Sequence, residues 1–218
     1  MSLAILYHDN HLLAVAKPAG LLTQESGTGR DSLEAQAREW VRAEKNKPGG
    51  VFLHAVHRLD TVVSGVVLFA RTSKALGRLN EQIRAGETEK IYQALIEGLP
   101  PQPEGTLIHW LRHGGGRAEV VREGTEGGRR CVLHYRTLER RSLEGALLEI
   151  RLETGRYHQI RAQLAAIGCP VAEDVKYGAV RRWSGEGIAL HHSRLTVFHP
   201  VTREPLIIQA PLPNCMQC

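Results

Sequence analysis

Short runs of alternating apolar and polar residues, separated by turn-forming pairs, open the chain. Residues 5–7 and 12–16 predict two strands around an Asp9-Asn10 turn, and Lys17-Pro18-Ala19-Gly20 breaks the second. Leu33, Ala37, Trp40 and Val41 fall on one helical stripe, so 31–44 predicts a helix that Asp31 or Ser32 can cap. A polar loop follows at 45–50. The β-rich run 62–70 predicts a buried strand, 73–85 a serine-capped helix carrying Leu76 and Leu79, and 89–97 another strand. A proline-bearing loop spans 98–105. Segments 130–139 and 146–153 predict a strand pair, and 157–167 a helix stopped by Gly168 and Pro170. The last stretch, 188–209, is strand-rich with a break at His199-Pro200. Regular βαβ alternation is lacking, which predicts an α+β domain with a mixed, largely antiparallel sheet and flanking helices rather than a doubly wound fold. No internal repeat marks a boundary, so 1–218 reads as a single domain.

Composition narrows this picture only a little. The 218 residues are 42% hydrophobic and 23% charged, close to ordinary globular values. A net charge of +5 favours a polyanionic partner without proving one. The glycine- and arginine-rich stretch 114–130 reads either as two exposed hairpin turns or as a nucleic-acid contact. No apolar run reaches the roughly 18 residues of a membrane span, and the N-terminus lacks the basic-then-apolar pattern of a signal peptide. Cys131, Cys169, Cys215 and Cys218 lack the spacing of a disulfide framework, which predicts reduced thiols and a cytoplasmic setting. Cys215 and Cys218 have metal-knuckle spacing, but no second Cys or His pair stands close by, and a frayed tail is the expectation.

Three segments carry candidate chemistry. His57-Arg58-Leu59-Asp60 puts a carboxylate just before the strand at 62–70, where a loop meets a rigid support. A surface Arg-Asp pair at a strand start reads the same way. In Lys90-Ile91-Tyr92-Gln93-Ala94-Leu95, alternation separates Ile91, Gln93 and Leu95 from Tyr92 and Ala94. A tyrosine there serves a core or an interface as readily as a reaction. Gly155-Arg156-Tyr157-His158-Gln159-Ile160-Arg161 places Arg161 in the first turns of a helix, where a surface arginine is equally ordinary.

Together the three segments resemble the RluA-type family of RNA pseudouridine synthases. The first matches its nucleophile motif through Ser64-Gly65, the second its tyrosine strand through Gly98, and the third its arginine motif. Two further stretches agree, from Gly168-Cys169-Pro170-Val171 through Asp174 and Tyr177-Gly178, and from Ala189-Leu190-His191 through His199-Pro200. The resemblance runs from about Ile5 to Pro211. It departs at Val63, where the family has threonine, at Tyr157, near Gln163, and at Val171-Ala172-Glu173.

The resemblance implies the pseudouridine synthase catalytic fold with a central RNA-binding cleft, in a short member without an N-terminal S4 module. It implies isomerisation of uridine in ribosomal RNA, transfer RNA or both, by base flipping. Asp60 is the implied nucleophile, Arg161 its bidentate cation, and Tyr92 the ring against the uracil. Arg58 would fill the gap of the flipped base or hold a phosphate, Leu190 would line the pocket, and His57 is placed with them as substrate-binding, although a structural role reads as readily. Arg71, Lys74, Arg78, Arg156, Lys176, Arg181 and Arg182 form a pool of candidate phosphate contacts. The reaction gains no atom and transfers no electron, so neither a metal nor another cofactor is expected. RNA is the expected partner of a monomeric protein with no obligate protein partner. Two rivals remain: a nucleic-acid-binding module without catalysis, and a hydrolase using Ser64 or Ser193 with a histidine. The second lacks a GxSxG elbow.

Overall fold

A computed structural model describes residues 3–27, 29–45, 50–142, 145–180 and 185–217. The chain divides into two compact units. One comprises residues 1–89 and 192–212, the other 90–191 and 213–218.

The first unit is built on β1 (Ile5–His8), β2 (Leu12–Lys17), β3 (His54–Ala55), β4 (Ser64–Ala70), β10 (Leu190–Phe198, from His192 onward) and β11 (Pro205–Gln209). Strands run in the order β1, β2, β4, β10, with β11 on β10 and β3 on β4. The β1–β2 turn is held by Asp9, whose Oδ1 accepts from the His11 and Leu12 amides at 2.7 Å each. Nearly every residue of β2 and β4 is buried, because both sheet faces are covered. One face presents Leu12, Ala14, Val66, Leu68, Leu195 and Ile208 to Ala75 and Leu79 of α2 (Ser73–Ala85). Thr72, rather than the expected Ser73, caps α2: its side chain accepts from the Ala75 amide at 3.1 Å. In α1 (Leu33–Lys45), Leu33, Ala37 and Val41 are buried as the stripe predicts, while Trp40 is half-exposed with its ring edge-on to His8. Ser32 caps this helix through the Ala35 amide at 3.2 Å. The loop expected at 45–50 lies largely outside the described residues, at 46–49.

The second unit is an antiparallel sheet in the order β5 (Glu89–Glu97, from Lys90 onward), β9 (Gly145–Leu152), β8 (Arg129–Ser142), β6 (Glu104–Gly114), β7 (Arg117–Val121). The β8–β9 pair stands where it is expected. The stretch 114–130 forms the β6–β7 hairpin turn, strand β7 and a second turn, which agrees with the hairpin reading and adds a strand it did not predict. Helix α3 (Gln159–Ala166) packs on this sheet, with Ala162 and Ala165 against Leu111, Ala118 and Cys131. It begins two residues later than expected because His158 is left-handed, with φ 51°. A single 3-10 turn (Val175–Tyr177) and a short helix, α4 (Asn214–Gln217), complete the unit.

Gly65 at the start of β4 shows how tightly β10 lies against it. Its φ is +120°, and a Cβ there would stand 2.3 Å from the His192 carbonyl oxygen and 2.5 Å from its nitrogen. Both neighbours are backbone and cannot swing away. Gly65→Ala is expected to destabilise the protein by at least about 3 kcal/mol, combining overpacking with backbone strain. Gly77→Ala, in open space on α2, is expected to stabilise it by about 0.5–1 kcal/mol. Denaturant unfolding of the two variants checks both signs.

Candidate active site

The segment carrying Asp60 has no regular secondary structure, yet its backbone is fixed at several points. Thr23, 4% exposed, accepts from the Leu59 amide at 3.2 Å and donates to the Leu59 carbonyl at 2.8 Å. The Val63 amide donates to the Asp60 carbonyl at 3.0 Å, closing a turn that delays β4 to Ser64. The Thr61 carbonyl accepts from the Gly20 amide at 2.8 Å and from Lys17 Nζ at 3.1 Å. Asp60 itself is part-exposed on this fixed backbone.

Lys17 was not singled out from sequence. It is 1% exposed at the end of β2, and its ammonium donates to Pro18 O (2.8 Å), Leu21 O (2.7 Å) and Thr61 O (3.1 Å). Three donors meet three carbonyls, which is all an ammonium can use. Burial pushes its pKa down to about 8, and the Asp60 carboxylate pulls the other way. Thus the break Lys17-Pro18-Ala19-Gly20 is also a clamp: one cation ties it to the Asp60 loop and sets positive charge beside Asp60.

Near Asp60, His57 Nε2 accepts from the Leu68 amide at 3.3 Å and its ring lies edge-on to His192, 5.2 Å between centroids. Arg58 is exposed and makes no hydrogen bond or ion pair among the described residues. Arg71 is 8% exposed, donates to Asp9 O at 2.6 Å and pairs with Glu44 at 2.7 Å. Its guanidinium is thereby engaged as an internal tie. Arg78 similarly reaches Pro200 O at 2.5 Å, whereas Lys74 is exposed.

In the second unit, Tyr92 is 7% exposed on β5, opposite Ile150 of β9. Arg161 occupies the first turn of α3, 4% exposed. Its Nε and Nη2 donate to Asp174 Oδ2 and Oδ1 at 2.6 and 2.8 Å, and Asp174 is 1% exposed. The guanidinium also lies over the Tyr177 ring, 5.0 Å from its centroid. Tyr177 in turn accepts from the Ala118 amide at 2.7 Å and stands 3.0 Å from His158 Nδ1. A fork-on-fork pair over a ring leaves Arg161 one orientation. Leu190, 3% exposed, starts β10 beside Ala189, whose carbonyl takes the Leu95 amide at 3.0 Å. Arg156 is exposed, and Lys176 donates to Gly116 O at 3.2 Å on the hairpin tip. Tyr157 donates to that same carbonyl at 3.1 Å, so this departure from the family pattern also holds the tip. Arg181, Arg182 and Cys218 lie outside the described residues. Cys131, Cys169 and Cys215 are free thiols. No helix among the described residues is long and apolar enough to cross a membrane.

A family model described as RNA pseudouridylate synthase matches residues 11–166. The chain is 32% identical over 220 residues to a Bacillus subtilis (strain 168) protein described as the uncharacterized RNA pseudouridine synthase YhcT, covering 99% of this chain and 70% of that one. It is 33% identical over 228 residues to ribosomal large subunit pseudouridine synthase D of Xanthomonas campestris pv. campestris, covering 99% and 67% respectively. Among solved structures it resembles human RNA pseudouridylate synthase domain containing 4, with TM-score 0.81, 24% identity, and coverage of 98% of this chain and 90% of that one. That likeness shows the α+β fold.

The two buried ionic groups make separate predictions. The unfolded chain holds the Lys17 proton up to its ordinary 10.5, the folded chain only to about 8. Between those values the unfolded state binds more protons, so stability rises with pH there and is unaffected by Lys17 below that window. Wild type is expected to gain on the order of 3 kcal/mol over Lys17→Met across the window, read from denaturant unfolding against pH. Asp174→Ala strands a buried guanidinium and is expected to cost about 3–5 kcal/mol, whereas Arg161→Met with Asp174→Leu recovers most of it. A loss under about 1 kcal/mol in the single variant, by the same measurement, would contradict that account.

Proposed function

The chain belongs to the RNA pseudouridylate synthase family, and on that premise we propose that it converts specific uridines of ribosomal RNA, transfer RNA or both to pseudouridine, with Asp60 as nucleophile. The observation that carries the reading is the Asp60 loop, pinned by Thr23 on one side and Lys17 on the other while its carboxylate stays part-exposed. A hydrolase or a simple binding module gives no reason to immobilise the backbone around this carboxylate in this way.

The reaction breaks the bond from ribose to base nitrogen and joins the sugar to a base carbon. The nitrogen gains a proton and the carbon loses one, so atoms and electrons balance within the substrate. The target base must first leave its stack. Asp60 must then be ionised and aimed, and a neighbouring cation favours the ionised form. Lys17 supplies part of that field. Arg161 is the second cation in this proposal, presented by its pair with Asp174. Tyr92 offers a flat ring to the uracil and a hydroxyl for proton movement. Leu190 contributes apolar lining. Arg58 contacts the RNA at the vacated position, and the exposed Lys74 and Arg156 contact phosphates. One catalytic domain, acting as a monomer in the cytoplasm, completes the proposal.

Asp60→Asn preserves the size and the backbone anchors of the loop and removes the charge. Pseudouridine formation on ribosomal and transfer RNA from cells lacking this gene is expected to vanish, while RNA affinity stays within about threefold of wild type. Chemical mapping of pseudouridine on both RNA pools and filter binding read the two quantities. Turnover close to wild type would sink the assignment of Asp60.

A further inference from the structure

The second unit holds a part-buried lysine of a different kind from the fully buried Lys17. Lys90 begins β5 in register with Leu152, the last residue of β9. Burial alone pushes its ammonium below the usual lysine range; no carboxylate offsets it. Lys17 meets three carbonyls, but Lys90 has no hydrogen bond or ion pair among the described residues. Its Nζ instead lies against Gly155, where an added Cβ would come within 3.7 Å. Gly155 belongs to the turn that leads from β9 to α3, beside the exposed Arg156 and six residues before Arg161.

A cation drawn out of water without a partner costs stability. A fold keeps such a group where a ligand supplies the missing charge. The side chain shares a sheet face with Tyr92, two residues on, at a spacing of about 7 Å. An ammonium has no planar fork with which to read a base edge; it serves a phosphate as a point charge. We propose that Lys90 is a substrate-binding residue that takes a backbone phosphodiester of the RNA next to the uridine stacked on Tyr92. The proposal rests on the pseudouridine synthase reading for the identity of the ligand, and it adds a contact absent from the pool of exposed arginines and lysines. Gly155 leaves the ammonium room that a side chain at that position would narrow.

The test uses the full chain and an unmodified in vitro transcript of large-subunit ribosomal RNA. Filter binding is followed across a range of KCl concentrations for wild type, Lys90→Met and Lys90→Arg. Loss of one phosphate contact is expected to weaken Lys90→Met binding about tenfold and to flatten the log–log salt slope by about one, with Lys90→Arg restoring the slope. Thermal unfolding of Lys90→Met is expected at the wild-type temperature or above, because an unpaired desolvated charge has been removed. A structural lysine gives the opposite sign, with stability lost and salt slope unchanged, and that result would overturn the proposal. An unchanged slope with weaker binding, the mark of an uncharged contact, also overturns it. Pseudouridine formation by wild type on the same transcript and on bulk transfer RNA is scored separately. Its absence counts against the enzymatic reading, while the slope decides Lys90.

Discussion

The ammonium of Lys17 is withdrawn from water and repaid only by three carbonyl oxygens, those of Pro18, Leu21 and Thr61. Two of those carbonyls belong to the segment that ends β2, and the third directly follows Asp60. A single side chain therefore closes the chain break after β2 onto the loop before β4. Remove it and buried carbonyls lose a donor, so the loop has reason to rearrange. The requirement is steep because desolvation already lowers the lysine toward neutrality; the geometry must be good for the charge to persist at all. Thr23 fixes the other side of the same loop through both polar groups of Leu59. The backbone on both sides of Asp60 is consequently held in place.

Arg161 illustrates the same economy in the second unit. Helix α3 is short and almost wholly buried, so a surface role for any residue in its first turns is closed off. Its polar members find partners, although Gln163 Oε1 is buried without one. Gln159 donates to Val132 O at 3.1 Å, Gln163 to Leu107 O at 3.0 Å, and Arg161 to both oxygens of Asp174. Such a pair adds little net stability over an apolar replacement, but it fixes direction. A guanidinium whose orientation is set before substrate arrives loses less entropy when it acts.

Patterns that depend on near neighbours were legible in the sequence. Residues 12–16 read as a strand and 62–70 as a buried one, and their branched and aliphatic side chains fill both faces of β2 and β4. The stripe Leu33, Ala37, Trp40 and Val41 read as one apolar helix face, and all of it but Trp40 is buried. Strand β6 was not seen, and the reason is physical: it alternates exposed and half-buried positions with His109, Trp110 and His113 among them, which carries no strong apolar rhythm. Helix α3 was placed two residues early because a left-handed His158 leaves no mark that propensity can read. Among the proposed site residues, the motifs named Asp60, Tyr92 and Arg161, but not the groups that hold them. Lys17 looked like half of a turn signal, since three carbonyl acceptors are a property of the folded backbone and not of any residue type. Asp174 lies thirteen positions beyond Arg161, outside the reach of helical spacing. Arg71 looked like a phosphate contact because sequence cannot tell a free guanidinium from one tied to Glu44 and Asp9.

That last ambiguity is resolved by counting partners rather than charges. A basic chain offers many cations, and net charge ranks none of them. Burial and hydrogen bonding sort them into kinds. Lys17, Arg71 and Arg161 are buried, and their acceptors come from the protein itself, so they serve the fold or hold a neighbour in place. Lys74, Arg58 and Arg156 are exposed, fully hydrated, and cheap to bring to a phosphate. Lys90 is part-buried, between the two kinds, and lacks acceptors like the second. In water-accessible positions an unpaired cation signifies nothing, because solvent satisfies it. Where solvent is partly excluded, as around Lys90, the same lack of a partner is a cost the free protein carries, and an anionic ligand relieves it. Desolvation together with an empty coordination sphere is therefore a sharper guide to an RNA contact than exposure or sequence basicity.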